Sequence, residues 1–193
     1  SMNMEVRKAD VYDAEMVSRI GKISFRQAFG NVFNAANLEQ YLNSLYNPDK
    51  IAINIHNRYN TYFIAELDER PVGFAKVKKF SLNDDIESGL QMQLEKIYVL
   101  PEYQNKGAGT ALLQKAIAMA NIIGPDYLWL DVYAGNEKAI LFYEKNGFKT
   151  GEFLIYFFNY FKVVRFTKSL DYVEITSKVF EDNITNVHKI KKE

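Results

Sequence analysis

The chain has 193 residues, 48% of them hydrophobic and 25% charged, enough for one domain with a substantial core. Lys plus Arg and Asp plus Glu both number 24, so no net charge draws the protein to nucleic acid or to an anionic membrane surface. Cysteine is absent and histidine is limited to His56 and His188, which removes disulfides and a cysteine nucleophile and leaves little for a metal site or a Ser-His-Asp triad.

No metal is expected, and His56, with no ligand partner near it in sequence, reads as structural. Ser1 before Met2 reads as an expression scar, so residues 1–2 are set apart from the fold. The opening SMNMEVRKAD lacks the apolar core of a signal peptide. The most apolar windows, 116–123 and 153–161, fall well short of the roughly 20 residues that span a bilayer. A cytoplasmic protein that neither crosses a membrane nor binds nucleic acid is the expectation.

In chain order, alternation around Met4, Val6 and Lys8 predicts a short strand, and Asp10 is placed to cap a helix with apolar residues from Val11 to Ile23. A second helix is predicted over 37–46 on Leu38, Tyr41, Leu42 and Leu45. Pro48 suits the first turn of a third. The period then changes to two. TYFIAEL (61–67) and PVGFAKVKKF (71–80) read as a hairpin around the turn-rich 68–71, and QMQLEKIYVL (91–100) as a further strand after a polar loop. A long helix is predicted from about Gly109 to Ile123, a buried strand over 127–134, and a helix over 136–147 stopped by Asn146-Gly147. Aromatic strands over 148–157 and 160–167 follow. The order predicts an α/β (α+β) fold: a mixed, mostly antiparallel sheet of six or seven strands with helices on its faces. Residues 3–167 are taken as one domain, and 168–193 as a polar tail or helix.

The loop QNKGAG (104–109) follows a strand and opens the long helix. Backbone N–H groups gather at such a helix start, the helix dipole adds partial positive charge, and glycine keeps side chains out of the way. It can hold a phosphate, or it can be a tight turn with nothing bound. A Walker loop is excluded because Gly109 is followed by Thr110-Ala111 rather than Lys-Ser/Thr, and a dinucleotide fingerprint because position 112 is leucine.

Together, the two flanking segments carry a resemblance. Gln104-Asn105-Lys106-Gly107-Ala108-Gly109 matches the Q/R-x-x-G-x-G/A pyrophosphate motif of the GNAT superfamily of acetyl-CoA-dependent N-acetyltransferases, and it sits between the strand at 97–99 and a long helix. The family's second signature is similar to LWLDVYA followed by Asn136, Ala139 and FYEKNGF (142–148). The resemblance covers residues 4 to 152. The segments 23–30 and 39–55 and the hairpin ending PVGFAKV look like bacterial spermidine/spermine N-acetyltransferases.

The resemblance implies a GNAT-like fold with acetyl-CoA as cosubstrate. Ile97, Tyr98 and Val99 would pair with the pantetheine amides, and the N–H groups of Gln104, Asn105, Lys106, Gly107, Ala108, Gly109 and Thr110 would take the pyrophosphate, with the Lys106 charge beside them. Asn136 would bond the pantetheine arm, Phe142 would pack on it, and Lys145 would reach the adenine end or stay solvated. Tyr143 is the implied proton donor to the departing thiolate. Glu95 shares a strand face with Ile97 and Val99, where a carboxylate is costly unless it borders a cleft or has partners. The resemblance makes it the candidate base for an acceptor amine.

A small polyamine is the implied acceptor. The alternatives are a protein N-terminus or lysine, or a non-catalytic acetyl-CoA-binding regulator. The acids Asp84, Asp85 and Glu87 would attract a cation or simply be solvated. After Gly151 the chain departs from the polyamine-acetylating pattern, and its aromatic run from Phe153 to Phe166 raises the expectation of a homodimer.

Overall fold

The computed structural model describes residues 2–31, 33–84, 86–133, 136–157, 161–169 and 188–191. The elements among them are β1 (Met4–Lys8), α1 (Ala14–Phe29), α2 (Ala35–Leu45), α3 (Pro48–His56), β2 (Asn60–Leu67), β3 (Arg70–Lys78), β4 (Gln91–Val99), α4 (Ala108–Ile123), β5 (Tyr127–Tyr133), α5 (Glu137–Lys145), β6 (Lys149–Phe157), β7 (Phe161–Ser169) and β8 (His188–Lys191). No helix among the described residues is long and apolar enough to cross a membrane. The chain divides into two compact units, residues 1–77 with 96–118 and residues 78–95 with 119–193, so that β4 and α4 each begin in one and end in the other.

In the first unit the strand order is β1-β2-β3-β4. β1 pairs antiparallel with β2 along its whole length, from Met4↔Leu67 to Lys8↔Phe63. Asp68 and Glu69, both at positive φ (48° and 67°), turn the chain between β2 and β3. That is the twist a two-residue hairpin needs. Asp10 caps a 3-10 turn at Val11–Asp13 rather than α1 itself, which begins at Ala14. The cap is braced by Arg7, whose guanidinium grips Asp13 at 2.7 and 2.8 Å and Glu66 at 2.7 Å. The Arg7 hydrogen bonds hold the Asp13 carboxyl below the usual carboxylate range, with burial opposing.

Asn34 and Asn47 cap α2 and α3, and Pro48 occupies the first turn of α3. The helices bury Val17, Ile20, Phe25, Phe29, Leu38, Leu42 and Ile51, and the strands bury Ile64, Val72 and Phe74. Gly21 is where α1 admits the Tyr46 ring, since a Cβ there would overlap it.

In the second unit the order is β4-β5-β7-β6-β8. The β4–β5 pairing is parallel and covers Gln91↔Tyr127 to Gln93↔Trp129, whereas β5 runs antiparallel to β7 from Tyr127↔Ser169 to Tyr133↔Val163. The core here holds Met92, Leu94, Ala120, Leu128, Trp129 and Leu130. The sheet is mixed and mostly antiparallel, as the element order implies, but eight strands are described rather than six or seven. The extra one is β8, which pairs with β6 from Leu154↔Lys191 to Phe157↔His188. Its sequence HKIK has little apolar alternation to announce a strand. The pairing rests on backbone groups that any sequence supplies. Most of the predicted tail lies outside the described residues.

Candidate active site

In the first unit Lys96 to Val99 lie next to β3, beyond Gln93, where the described β4–β5 register ends. Ile97, Tyr98 and Val99 are half-buried. Gly73 on β3 permits an unusually close approach here, because a Cβ at that position would lie 2.6 Å from the Tyr98 carbonyl oxygen. The Tyr98 ring packs edge-on against Phe74 at 5.9 Å, and the Leu100 N–H donates to the Val72 carbonyl at 2.8 Å. A strand edge beyond its last paired residue is a template on which an extended molecule can pair.

The chain then makes a 3-10 turn at Pro101–Tyr103, and the Gln104 N–H is used inside it, donating to the Pro101 carbonyl at 3.3 Å. The Gln104 side chain ties the loop down, donating to the Val99 carbonyl at 3.3 Å and to Gln27 Oε1 of α1 at 3.0 Å. Asn105 and Gly107 both adopt positive φ, 62° and 91°. Ala108, 1% exposed, begins α4, and the first helical bond runs from the Ala111 N–H to the Gly107 carbonyl at 3.0 Å. The N–H groups of Ala108, Gly109 and Thr110 therefore have no acceptor within the helix, and the dipole's positive end lies among them.

A Cβ built on Gly107 meets nothing within 4 Å, so the space beside the loop is open. Lys106 is exposed next to it. Converging amides, positive potential, open space and a solvent-facing lysine are what a pyrophosphate requires. Of the predicted amides, that of Gln104 is the one committed to the turn.

In the second unit Glu95 is 3% exposed, and its Oε1 lies 3.9 Å from Lys78 Nζ. Asn136 is the N-cap of α5, its Oδ1 accepting from the Ala139 N–H at 3.2 Å. Phe142 is half-buried and Lys145 exposed. Tyr143 is buried, its ring 5.2 Å from Phe142 and 5.5 Å from Phe148. Gly147, at φ 87°, ends the helix where the Asn146-Gly147 pair predicts.

Asp84 and Glu87 are exposed, while Asp85 lies outside the described residues, as do the side chains of the aromatic run over 153–166. No group of three or more His, Cys, Asp or Glu is arranged to hold a metal among the described residues.

Several residues that position these groups escape sequence reasoning. Gln91, 2% exposed, is the anchor of the β3–β4 loop. Its Oε1 accepts from the Asn83 N–H at 2.8 Å, and its Nε2 donates to the carbonyls of Asn83, Ile86 and Ser88 at 3.3, 3.2 and 2.6 Å. Ser81 donates to Gln93 Oε1 at 2.7 Å and accepts from Trp129 Nε1 at 2.8 Å. The signal was present in the alternation of Gln91, Gln93 and Glu95, a polar face on a strand with a polar loop before it. On α2 the Tyr41 hydroxyl is buried without a hydrogen-bond partner among the described residues, and burial, with the Tyr98 charge adding, pushes its phenol upward.

The sequence profile of the acetyltransferase (GNAT) family matches residues 25–148. A spermidine N(1)-acetyltransferase from Thermoplasma acidophilum is 25% identical over 152 residues, 77% of this chain and 89% of that protein. An N-alpha-acetyltransferase from Sulfurisphaera tokodaii is 25% identical over 158 residues, 79% of this chain and 84% of that one. Among solved structures, a PaiA N-acetyltransferase from Thermoplasma acidophilum in complex with coenzyme A aligns with a TM-score of 0.71 at 22% identity, covering 86% of this chain and 99% of that one. This last is a likeness of fold.

Proposed function

The chain belongs to the GNAT family of acetyltransferases and is an acetyl-CoA-dependent N-acetyltransferase, and from that premise we propose that it acetylates a small polyamine by direct transfer. The observation that carries the coenzyme half of this reading is the run from the β4 edge to the start of α4, where backbone groups for an extended chain are followed by amides for a pyrophosphate. Bound acetyl-CoA supplies the activated acetyl group. The residues of this chain bind and orient it: Ile97 to Val99 along the pantetheine, Asn105 to Thr110 around the pyrophosphate, and Asn136 and Phe142 along the arm.

An alkylamine, with a pKa near the lysine value of about 10.4, arrives mostly protonated. Glu95 takes that proton. The neutral amine then attacks the thioester carbonyl and the C–S bond breaks as the amide forms. Tyr143 gives its phenolic proton to the departing sulfur and regains one as the nitrogen sheds its second proton, while Glu95 releases its own to solvent. The polyamine assignment draws on the spermidine N(1)-acetyltransferase likeness and on the exposed acids Asp84 and Glu87, whose field favours a polycation. The test is release of free thiol from acetyl-CoA with a panel of amines and peptides. Spermidine or spermine should be turned over with the highest kcat/KM. Preference for a peptide N-terminus or lysine would replace the polyamine reading with protein acetylation, and no release with any acceptor would count against both.

A further inference from the structure

Glu95 belongs to a polar ladder. Gln91, Gln93 and Glu95 alternate along β4, all buried, and each is met by the chain coming from β3: Asn83 backbone at Gln91, Ser81 Oγ at Gln93, and Lys78 Nζ at Glu95. At the third rung the partner changes from neutral to cationic. Lys78 is the last residue of β3, its side chain 24% exposed against 2% for Glu95. A carboxylate this buried is driven toward its neutral acid by desolvation, and a cation within about 4 Å opposes that drive. Asp131, 5% exposed, lies two residues beyond Trp129, the Cα partner of Gln93, and past the last paired position of β4 and β5. The acids of the loop, Asp84 and Glu87, are exposed. Among the other cations of these strands, Lys76 lies over the Tyr62 ring at 5.8 Å and Lys96 over the Tyr46 ring at 4.9 Å.

We propose that Lys78 is a positioning residue that holds Glu95 in place and ionised, so that the carboxylate is ready to take the proton of the acceptor ammonium. In that step the N–H bond of the ammonium breaks and the O–H bond of Glu95 forms, giving neutral amine and neutral acid, while Lys78 keeps its charge throughout. This inference rests on the assignment of Glu95 as base, and the two fail differently.

The experiment is the pH dependence of kcat/KM with spermidine for the unmodified protein and for Lys78→Met, Lys78→Gln, Lys78→Arg and Glu95→Gln. Where Glu95 accepts the ammonium proton, its ionisation sets a break on the acid side, whereas a variant without that carboxylate follows the free-amine fraction of the substrate. Lys78→Met and Lys78→Gln should move that break upward by about 1 pH unit or more, with about tenfold lower activity below it and near-normal activity above it. Lys78→Arg should restore the original position, and Glu95→Gln should abolish the break. Loss by one factor at every pH, or an unmoved break in both neutral variants, overturns the role of Lys78. An unchanged profile for Glu95→Gln overturns Glu95 as base, whatever Lys78 does.

Discussion

Replacing Gly107 with alanine separates a coenzyme cradle from a plain turn. Gly107 has φ 91° and Gly124, just past the other end of α4, has φ 82°, and a Cβ at either position meets nothing within 4 Å. The two substitutions therefore carry the same kind of penalty, backbone strain without a clash. Holding an L-residue at left-handed φ costs about 1–2 kcal/mol, against which restriction of the unfolded chain returns about 0.4–1. The net is about 1 kcal/mol for each variant, or about 2–4 °C in thermal midpoint for a chain of this size.

The difference lies in binding. If the backbone of the Gly107→Ala variant relaxes toward negative φ at the substituted position, the amides leading into α4 no longer converge. Loss of one hydrogen bond to a charged oxygen, about 1.5–3 kcal/mol, weakens coenzyme A by about 10- to 100-fold. Calorimetric titration with coenzyme A, alongside thermal melts, reads both quantities. Gly107→Ala should lose affinity and Gly124→Ala should not, with similar losses of stability. Equal affinities in the two variants would mean that the loop is a turn and the pyrophosphate lies elsewhere.

Tyr143→Phe should lower kcat by about 10²- to 10⁴-fold while leaving coenzyme A affinity within a factor of two or so; a variant with undiminished turnover removes Tyr143 as donor, and one with weakened binding makes it a packing residue. Asp13→Asn should destabilise the fold by about 1–2 kcal/mol at neutral pH, a figure discounted because Arg7 is partly exposed. Since the folded carboxyl is depressed, that contribution is present above the ordinary carboxylate range and fades as pH falls through the folded value. Denaturant midpoints from pH 7 to 3 should show the gap between the two proteins closing, and a gap that persists undiminished at pH 3 contradicts the assignment. Gly73→Ala should raise the KM for acetyl-CoA with little change in kcat, because the new methyl pushes on the Tyr98 carbonyl in the middle of the strand edge. An unchanged KM would place the coenzyme chain off that edge.

Much of the fold was legible because its signals are local. Asn47-Pro48 marks the start of α3, Asn146-Gly147 the end of α5, and the shift from a period near three to a period of two marks where helices give way to β2 and β3. β8 was not legible, since pairing through backbone groups leaves no mark on side-chain pattern. The 3-10 turn before α1 was hidden for a related reason. Asp10 and Asp13 together make a cap, and the spacing alone does not say whether the next turn is 3-10 or α.

In the candidate site, the contiguous stretch 97–110 could be read directly from glycine spacing and strand character. Partners distant in sequence, such as Gln27 on Gln104 and Lys78 on Glu95, come from tertiary folding and have no spacing to betray them. Asn136 was legible as a polar residue of the second signature. Its capping of α5 shows that a residue chosen by family resemblance also has an ordinary structural duty.

The two bonds of the Gln104 side chain turn the stretch from Val99 to Ala108 into a ruler. One end is the carbonyl that closes β4 and the other is the first turn of α4, and Gln104 pins the intervening chain to the first of these and to α1. The loop between strand edge and helix start is thereby tied both to the end of β4 and to α1. A molecule that engages both must carry its anionic group at one set distance from its extended arm. A single inserted residue between 100 and 106 would alter the measure while leaving every proposed contact residue intact.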